Sequence, residues 1–373
     1  MSPTRALEER TGRRCLALPS NRLGLYLALR HFCVPGQRLL MSPISADEIL
    51  FLVLAAGLRP VIAPLSRRTG NIDPSRVDLS EVDAVLTTNL YGLPDDLPAF
   101  RGKTLIEDVA HAMESTVEGR PLGTFGAAGV FSLSKHAGAG SGGVLAVEEA
   151  ADFTALEQAR DELLQPGSLR AEALSVASSM ARQAALTLDL VRPALALMRA
   201  LGMEEEREGY RIALRASELE SAMKTVPSLP PFDRWVRADL HSYRARRGPL
   251  SHWYQGRKVA KVARRRPRRL VGVRRLAELP SVAQGVLDHL DQPLFRVPLL
   301  VEERDEAIAA LERRGVVTGY LYAPPYDDYA PSFTTPSPSP RDARWWAEHV
   351  LPVDPLYADR ALPVLRRLTP ARG

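Results

Sequence analysis

Over the first 150 residues, short apolar runs alternate with stretches whose apolar residues return every three or four positions. The segment NRLGLYLALRHF (21–32) carries such a helical stripe. PGQRLLM (35–41) reads as a turn and a short strand, and 46–57 as a second helix stopped by Gly57. RPVIAPL (59–65), VDAVLTTNL (82–90) and GKTLIEDVA (102–110) read as strands, the last ending at Glu107 or Asp108. GVFSLS (129–134) and GGVLAVE (142–148) are two further strands on either side of a glycine-rich turn. Apolar strands alternating with helices predict an α/β fold, a mainly parallel sheet covered on both faces. The short connections late in this half allow antiparallel pairing there.

From 150 to about 222 the pattern turns helical: ADFTALEQARDELL, then a Leu/Ala-rich stretch reaching Gly202. A second α/β segment starts near Gln292. It comprises strand PLFRVPLLV, helix ERDEAIAALERRG, strand VVTGYLY and a Pro/Ser-rich loop (323–340). A helix and an extended piece follow in RDARWWAEHVLPVDPLY, and a last helix starts near Ala358. The expected division is a large domain over 1–225 and a smaller C-terminal domain over 226–373.

Composition permits this and removes other classes. The 373 residues are 45% apolar, enough for two cores, and no apolar run approaches the ~18 residues of a membrane span. A membrane partner is therefore not expected. The polar N-terminal stretch lacks the apolar core of a leader. Two cysteines, Cys15 and Cys33, make neither a disulfide framework nor a metal spacing, which fits a reducing cytoplasm. His31, His136, His241, His252, His289 and His349 show no metal spacing either. The net charge of +5 conceals a block: 243–275 holds thirteen Lys/Arg and no acid, leaving about −8 elsewhere. The block reads as a solvated basic helix ending near Pro267, or as a surface for a phosphate-bearing substrate. Nucleic acid is the weakest reading, since no recognition motif accompanies the charge.

The chemistry concentrates in GVFSLSKHAGAGSGG (129–143). Lys135 follows a strand and precedes glycines, whose backbone can approach a bound group closely. Ser132 and Ser134 supply hydroxyls suited to a phosphate. A lysine there can bind phosphate or act as a nucleophile toward a carbonyl. Asp108 comes off a strand end, where α/β sheets bind ligands, and His111 follows three residues later. An acid facing a pyridine nitrogen, an imidazole at a ring oxygen, a lysine and a serine-glycine cup are the parts of a pyridoxal 5'-phosphate site. The glycine runs GTFGAAG and GAGSGG lack the first-strand position and the acid ~20 residues on that a dinucleotide loop requires.

The order of these parts resembles the DegT/DnrJ/StrS-type sugar aminotransferases, of the fold-type I, aspartate-aminotransferase-like class. LIEDVAHAMESTVEGRPLGTFGAAGVFSLSK (105–135) looks like the family's central block, with Gly142 and Gly143 at the familiar distance from the lysine. The segment around NIDPSRVD, TTNLYGLPDDL, RDEAIAALERRGV and HVLPVDPLY look like its flanking pieces. The resemblance implies that Lys135 holds the cofactor covalently and moves a proton. It also implies that Asp108 faces the ring nitrogen, His111 the ring oxygen, and Ser132 the phosphate, with Ser134, Asn21 and Arg22 beside it. Arg215 and Tyr91 are implied substrate contacts.

The chain departs from the family's pattern at four places. Ser132 and Lys135 are two residues closer than usual. Asn21–Arg22 stands for a Gly-Thr turn, Ile44 for a stacking aromatic, and Ala213 for an asparagine that reaches the partner subunit. The implied reaction moves an amino group, from glutamate, to a nucleotide-linked keto sugar for a polysaccharide or secondary metabolite, in a cytoplasmic homodimer. Alternatives are a dehydratase or lyase on the same cofactor, with His136 beside the lysine, or a catalytically degraded binding paralogue. Trp345 and Trp346 read as core or interface.

Overall fold

The computed structural model describes residues 2–187, 207–208, 211–236, 242–318 and 322–371. Seven strands form the central sheet: β1 (Arg14–Leu18), β2 (Arg38–Met41), β3 (Arg59–Ile62), β4 (Ala84–Thr87), β5 (Thr104–Asp108), β6 (Ala128–Ser132) and β7 (Gly143–Val147). Their order is β1-β7-β6-β5-β4-β2-β3. β7 runs antiparallel to both β1 and β6, while β2 to β6 pair in parallel. Alternate residues of one strand feed different cores, as a period of two requires. Ala84, Leu86, Leu145 and Val147 pack with helices Asn21–Phe32 and Asp47–Ala55. Val85, Val144 and Ala146 pack with Leu7, Leu105 and Phe131 on the other face.

Two elements of the first half carry no expectation from pattern. Helix Pro3–Thr11 buries only Pro3 and Leu7 but is well capped, by Ser2 Oγ accepting from Arg5 N and by left-handed Gly12. Strand β1 is short and begins at an exposed arginine.

The second half is built on the antiparallel pair β8 (Val297–Leu300) and β9 (Val350–Val353). Helices Val262–Ala277, Arg304–Glu312, Pro340–His349 and Ala358–Leu365 close its core. Ile44, Leu65, Leu90, Tyr91 and Leu93 of the first half join that core, so the two halves share an apolar seam.

Several expectations are corrected. The basic block does not end at Pro267. It forms helices Pro249–Val259 and Val262–Ala277, and Pro267 lies inside the second, one turn and a half from its start. The block is also only partly solvated, since Arg269 is 4% exposed. Residues 316–318 of the expected strand VVTGYLY are not in a strand, and 319–321 lie outside the described residues. The Pro/Ser-rich loop contains helix Tyr326–Tyr329 and the turn Pro331–Phe333. The helical stretch is seen as Ala150–Leu163 and Leu169–Thr187. Its continuation to Gly202, and His241, lie outside the described residues. Among the described residues no helix is long and apolar enough to cross a membrane, and no cluster of His, Cys, Asp and Glu could hold a metal.

Candidate functional site

β5 ends in two acids, and alternation sends them to opposite faces. Glu107 is fully buried and accepts backbone N–H groups of Gly123 (2.8 Å), Phe125 (2.7 Å) and Gly126 (2.8 Å). It fastens a loop. Asp108, 3% exposed, faces the ends of the neighbouring strands. Its Oδ1 accepts from Ala110 N at 3.0 Å and from Asn21 Nδ2 at 3.2 Å. Asn21 also donates to Val130 O on β6, so the start of helix Asn21–Phe32 is tied to β5 and β6 together. Among the described residues, both donors end on the same carboxylate oxygen. Burial pushes the Asp108 carboxyl up to about 6, against the pull of the Ala110 amide, Asn21 and Lys135.

His111 follows in the turn after β5. Its ring stacks on Phe295 (centroids 4.9 Å, 23° between planes), and its Nδ1 is buried with no hydrogen-bond partner among the described residues. Burial, then the charge of Lys135, hold its pKa well below the ordinary histidine value, so the ring is neutral. His136 Nε2 donates to the His111 carbonyl at 2.6 Å, and its ring tilts over the same Phe295. Burial pushes His136 down to about 3, so it is neutral too. The carbonyl partner fixes the proton on Nε2 and leaves Nδ1 buried without a partner among the described residues.

Lys135 stands beside these groups. Its side chain is exposed, yet burial of its surroundings lowers its pKa, ahead of opposing pulls from Glu48 and Asp108. Both hold for an amine that water reaches but that protein largely surrounds. Arg296 and Arg22 lower it further. Glu48, 17% exposed at its side chain, lies 3.7 Å from Arg22. Its own pKa is raised by burial against the charges of Arg22 and Lys135.

The groups suited to a phosphate meet around Gly142 and Gly143. Ser132 pairs in register with Gly143, and Ser20 bridges to Gly142. A Cβ on Gly143 would lie 2.6 Å from Asn21 N, so only glycine lets β7 come this near the helix start. Ser132 Oγ and Ser134 Oγ are 2.9 Å apart. Ser20 caps the helix through Leu23 N, and the Asn21 and Arg22 amides occupy its first turn. Arg22 turns its guanidinium to Val236 O at 2.8 Å as well as toward Glu48.

Two predicted substrate contacts are not brought into this cluster. Tyr91 is fully buried, and its hydroxyl accepts from Trp346 Nε1 at 3.0 Å within the core of the second half. Trp346 is thereby core, as its spacing suggested. Arg215 is exposed and bonds Glu218 at 3.3 Å. Conversely, Phe295 and Arg296 were read only as part of a strand. The guanidinium of Arg296 lies over Phe295 (4.7 Å) and is held by Asp354 at 2.7 Å. Asp354 also holds Arg269 at 3.3 Å. A polar-aromatic pair just ahead of β8, rather than inside its apolar alternation, is the signal that could have found them.

Comparison with known proteins bears on the family and the fold. Residues 5–178 match the DegT/DnrJ/EryC1/StrS aminotransferase family, so the resemblance read from the sequence is borne out over that segment. The spore coat polysaccharide biosynthesis protein SpsC of Bacillus subtilis (strain 168) is 30% identical over 149 residues, 37% of this chain and 38% of SpsC. The match thus spans well under half of that relative's length. The structure of DesI in the presence of its TDP-sugar product covers 98% of this chain and 84% of its own, with a TM-score of 0.63 at 20% identity. The E. coli GDP-4-keto-6-deoxy-D-mannose-3-dehydratase with bound hydrated PLP covers 97% and 90%, with a TM-score of 0.64 at 15% identity. The expected fold, fold-type I with a mainly parallel sheet, is therefore the one found.

Proposed function

We propose, from a chain whose first half carries the DegT/DnrJ/EryC1/StrS sequence and whose whole length carries this fold, that it is a pyridoxal-phosphate-dependent aminotransferase. In this reading it transfers an amino group, from glutamate, to a nucleotide-linked keto sugar. The observation that carries the reading is the amine of Lys135, its pKa lowered by burial, beside a buried acid and a buried neutral imidazole.

The residues present fit the cofactor. Ser132, Ser134 and the first-turn amides at Asn21 and Arg22 would hold its phosphate, and the free oxygen of Asp108 its ring nitrogen. The unpartnered Nδ1 of His111 suits its ring oxygen, and Lys135 its carbonyl carbon. When bound, the cofactor supplies an electron sink for a carbon losing a proton. The remaining work falls to the chain. A lysine of lowered pKa gives up its proton more readily than an exposed one, which suits it to take a proton from the donor's α-carbon and return it elsewhere. Asp108, ionised above about pH 6, keeps a proton on the group it faces. Asn21 and the Ala110 amide fix its orientation. Arg296, anchored by Asp354, is placed to meet an anionic part of a substrate. A homodimer and a cytoplasmic location belong to the same reading.

The dehydratase alternative differs at the base. Here the glycine spacing aligns Lys135 with the lysine position, while His136 is spent on the His111 carbonyl. The test has two parts. Protein loaded with pyridoxal phosphate, reduced with borohydride and mapped by mass should carry the pyridoxyl group on Lys135. Nitrogen-labelled glutamate with a panel of nucleotide-linked keto sugars should then give a labelled amino sugar. A deoxygenated, unlabelled product would replace transamination by dehydration, and an unmodified Lys135 would end the enzymatic reading altogether.

A further inference from the structure

Helix Leu169–Thr187 turns its polar stripe inward. Glu172, Ser175 and Ser179 are buried, with Glu172 accepting from Ser251 N at 2.6 Å and Ser179 lying beside Gly140. The outward side carries Leu169 (79% exposed), Leu174 (57%) and Met180 (56%), with Ala171, Ala173 and Ala177 also exposed. Val176 is buried with the polar stripe, and Arg170 and Ser178 share the outward side, so apolar and cationic groups lie exposed together. Helix Pro249–Val259 lies alongside and adds exposed Leu250 and Trp253. Arg257 stacks over that indole at 5.1 Å. Lys261 in the turn that follows, and Arg264 and Arg268 on the next helix, are exposed. The one acid of helix Leu169–Thr187, Glu172, is buried, and 243–275 has none.

We infer that these helices form a surface that lies on an anionic lipid bilayer, apolar side chains entering the headgroup region and the cations meeting lipid phosphates. Exposed Leu, Met and Trp interleaved with Lys and Arg are what such a plane selects. Absence of a spanning helix bears on crossing a membrane, not on resting against one. A second copy of the chain fits poorly, because a two-fold contact would set the cationic block against itself. Nucleic acid has phosphates for the cations but no use for exposed leucines. The inference stands independently of the proposed chemistry.

The test is co-sedimentation of the full chain with phosphatidylcholine vesicles, alone and with roughly one-third phosphatidylglycerol. The full chain should pellet with the anionic vesicles and be released as salt rises from about 0.05 to about 0.5 M. The triple variant Arg257→Gln, Lys261→Gln, Arg264→Gln should lose ~100-fold in partitioning. The pair Leu174→Ser, Trp253→Ser should lose ~10-fold with an unchanged salt slope. Circular dichroism establishes that both variants fold, and either suffices if the other does not. No pelleting of the wild type at low salt overturns the inference. So does equal partitioning of the variants. Two other results reassign the surface and overturn it equally: duplex DNA bound as tightly and indifferent to Leu174→Ser and Trp253→Ser, or an oligomer broken by those changes in a chain that ignores vesicles.

Discussion

Glu107 and Asp108 are neighbours on one strand and both are buried, yet the regions they enter differ. On the Glu107 side, three backbone amides end on the carboxylate, and Arg13 ties the same loop through the carbonyls of Gly123, Thr124 and Gly126. The buried pair Asp47–Arg211 is built the same way, with Arg211 also donating to the carbonyls of Ser45, Tyr322 and Pro324. On the Asp108 side the donors reach one oxygen, and two imidazole nitrogens, those of His111 and His136, are buried without partners among the described residues. Buried polar groups normally find partners within the fold, because leaving one unmade costs about 1–3 kcal/mol. The Glu107 region is closed on itself, and on the proposed reading the Asp108 region keeps hydrogen-bonding capacity for the cofactor.

That contrast can be broken at its strongest point first. Lys135→Ala should lower product formation by ~10³-fold or more. Its thermal midpoint should move little, because the side chain is exposed; a large fall in midpoint would move Lys135 to the structural side. Glu107→Ala should cost about 5 kcal/mol in urea unfolding, since it strands three backbone amides. Asp108→Asn should do the reverse in the cofactor-free protein. Its folded pKa is raised to about 6, so the stability it contributes is full below its ordinary value of 3.8 and is lost as pH rises through 6. The amide avoids that loss, gaining on the order of 2–3 kcal/mol at pH 8 and almost nothing at pH 4, while activity collapses. Equal instability of the Glu107 and Asp108 variants would erase the comparison.

His136 tests the acid side. Its pKa is depressed to about 3, so its contribution is intact above pH 6.5 and is lost as pH falls from there toward 3. His136→Asn should flatten the decline in stability by about 2 kcal/mol at pH 5. The smallest effect expected is at Arg296. Arg296→Ala should raise the KM for an anionic substrate by ~10-fold while kcat and stability change little. A drop in kcat alone would place it against the reacting atoms instead.

Much of the large half was legible because its signals are local and repeated. Strands β2 to β7 are apolar runs bounded by turn residues, and the glycine turn with Lys135 has no structural competitor of similar composition. Other features depend on partners far away in sequence. Tyr91 sits in a motif that suggested a substrate contact, but its hydroxyl is claimed by Trp346, 255 residues on. Which acid of the pair at the end of β5 faces the cleft is a question of strand phase, set by where pairing with β6 starts. Strand β1 is defined by β7, which it pairs along its whole length, rather than by its own five residues. Pro267 reads as a stop by propensity, and contacts of Val273 and Leu276 with the second core carry the helix past it. Phe295 and Arg296 matter only because folding brings them to His111.

One small residue joins the outside of this molecule to its cleft. Gly272 lets the cationic helix Val262–Ala277 lie so close to the 354–357 turn that a Cβ there would stand 1.9 Å from the Pro355 carbonyl oxygen. The turn begins with Asp354, the carboxylate shared by Arg269 and Arg296. The outer helix is thus packed directly on the turn whose carboxylate holds Arg296, and position 272 is where a single methyl group would force the two apart.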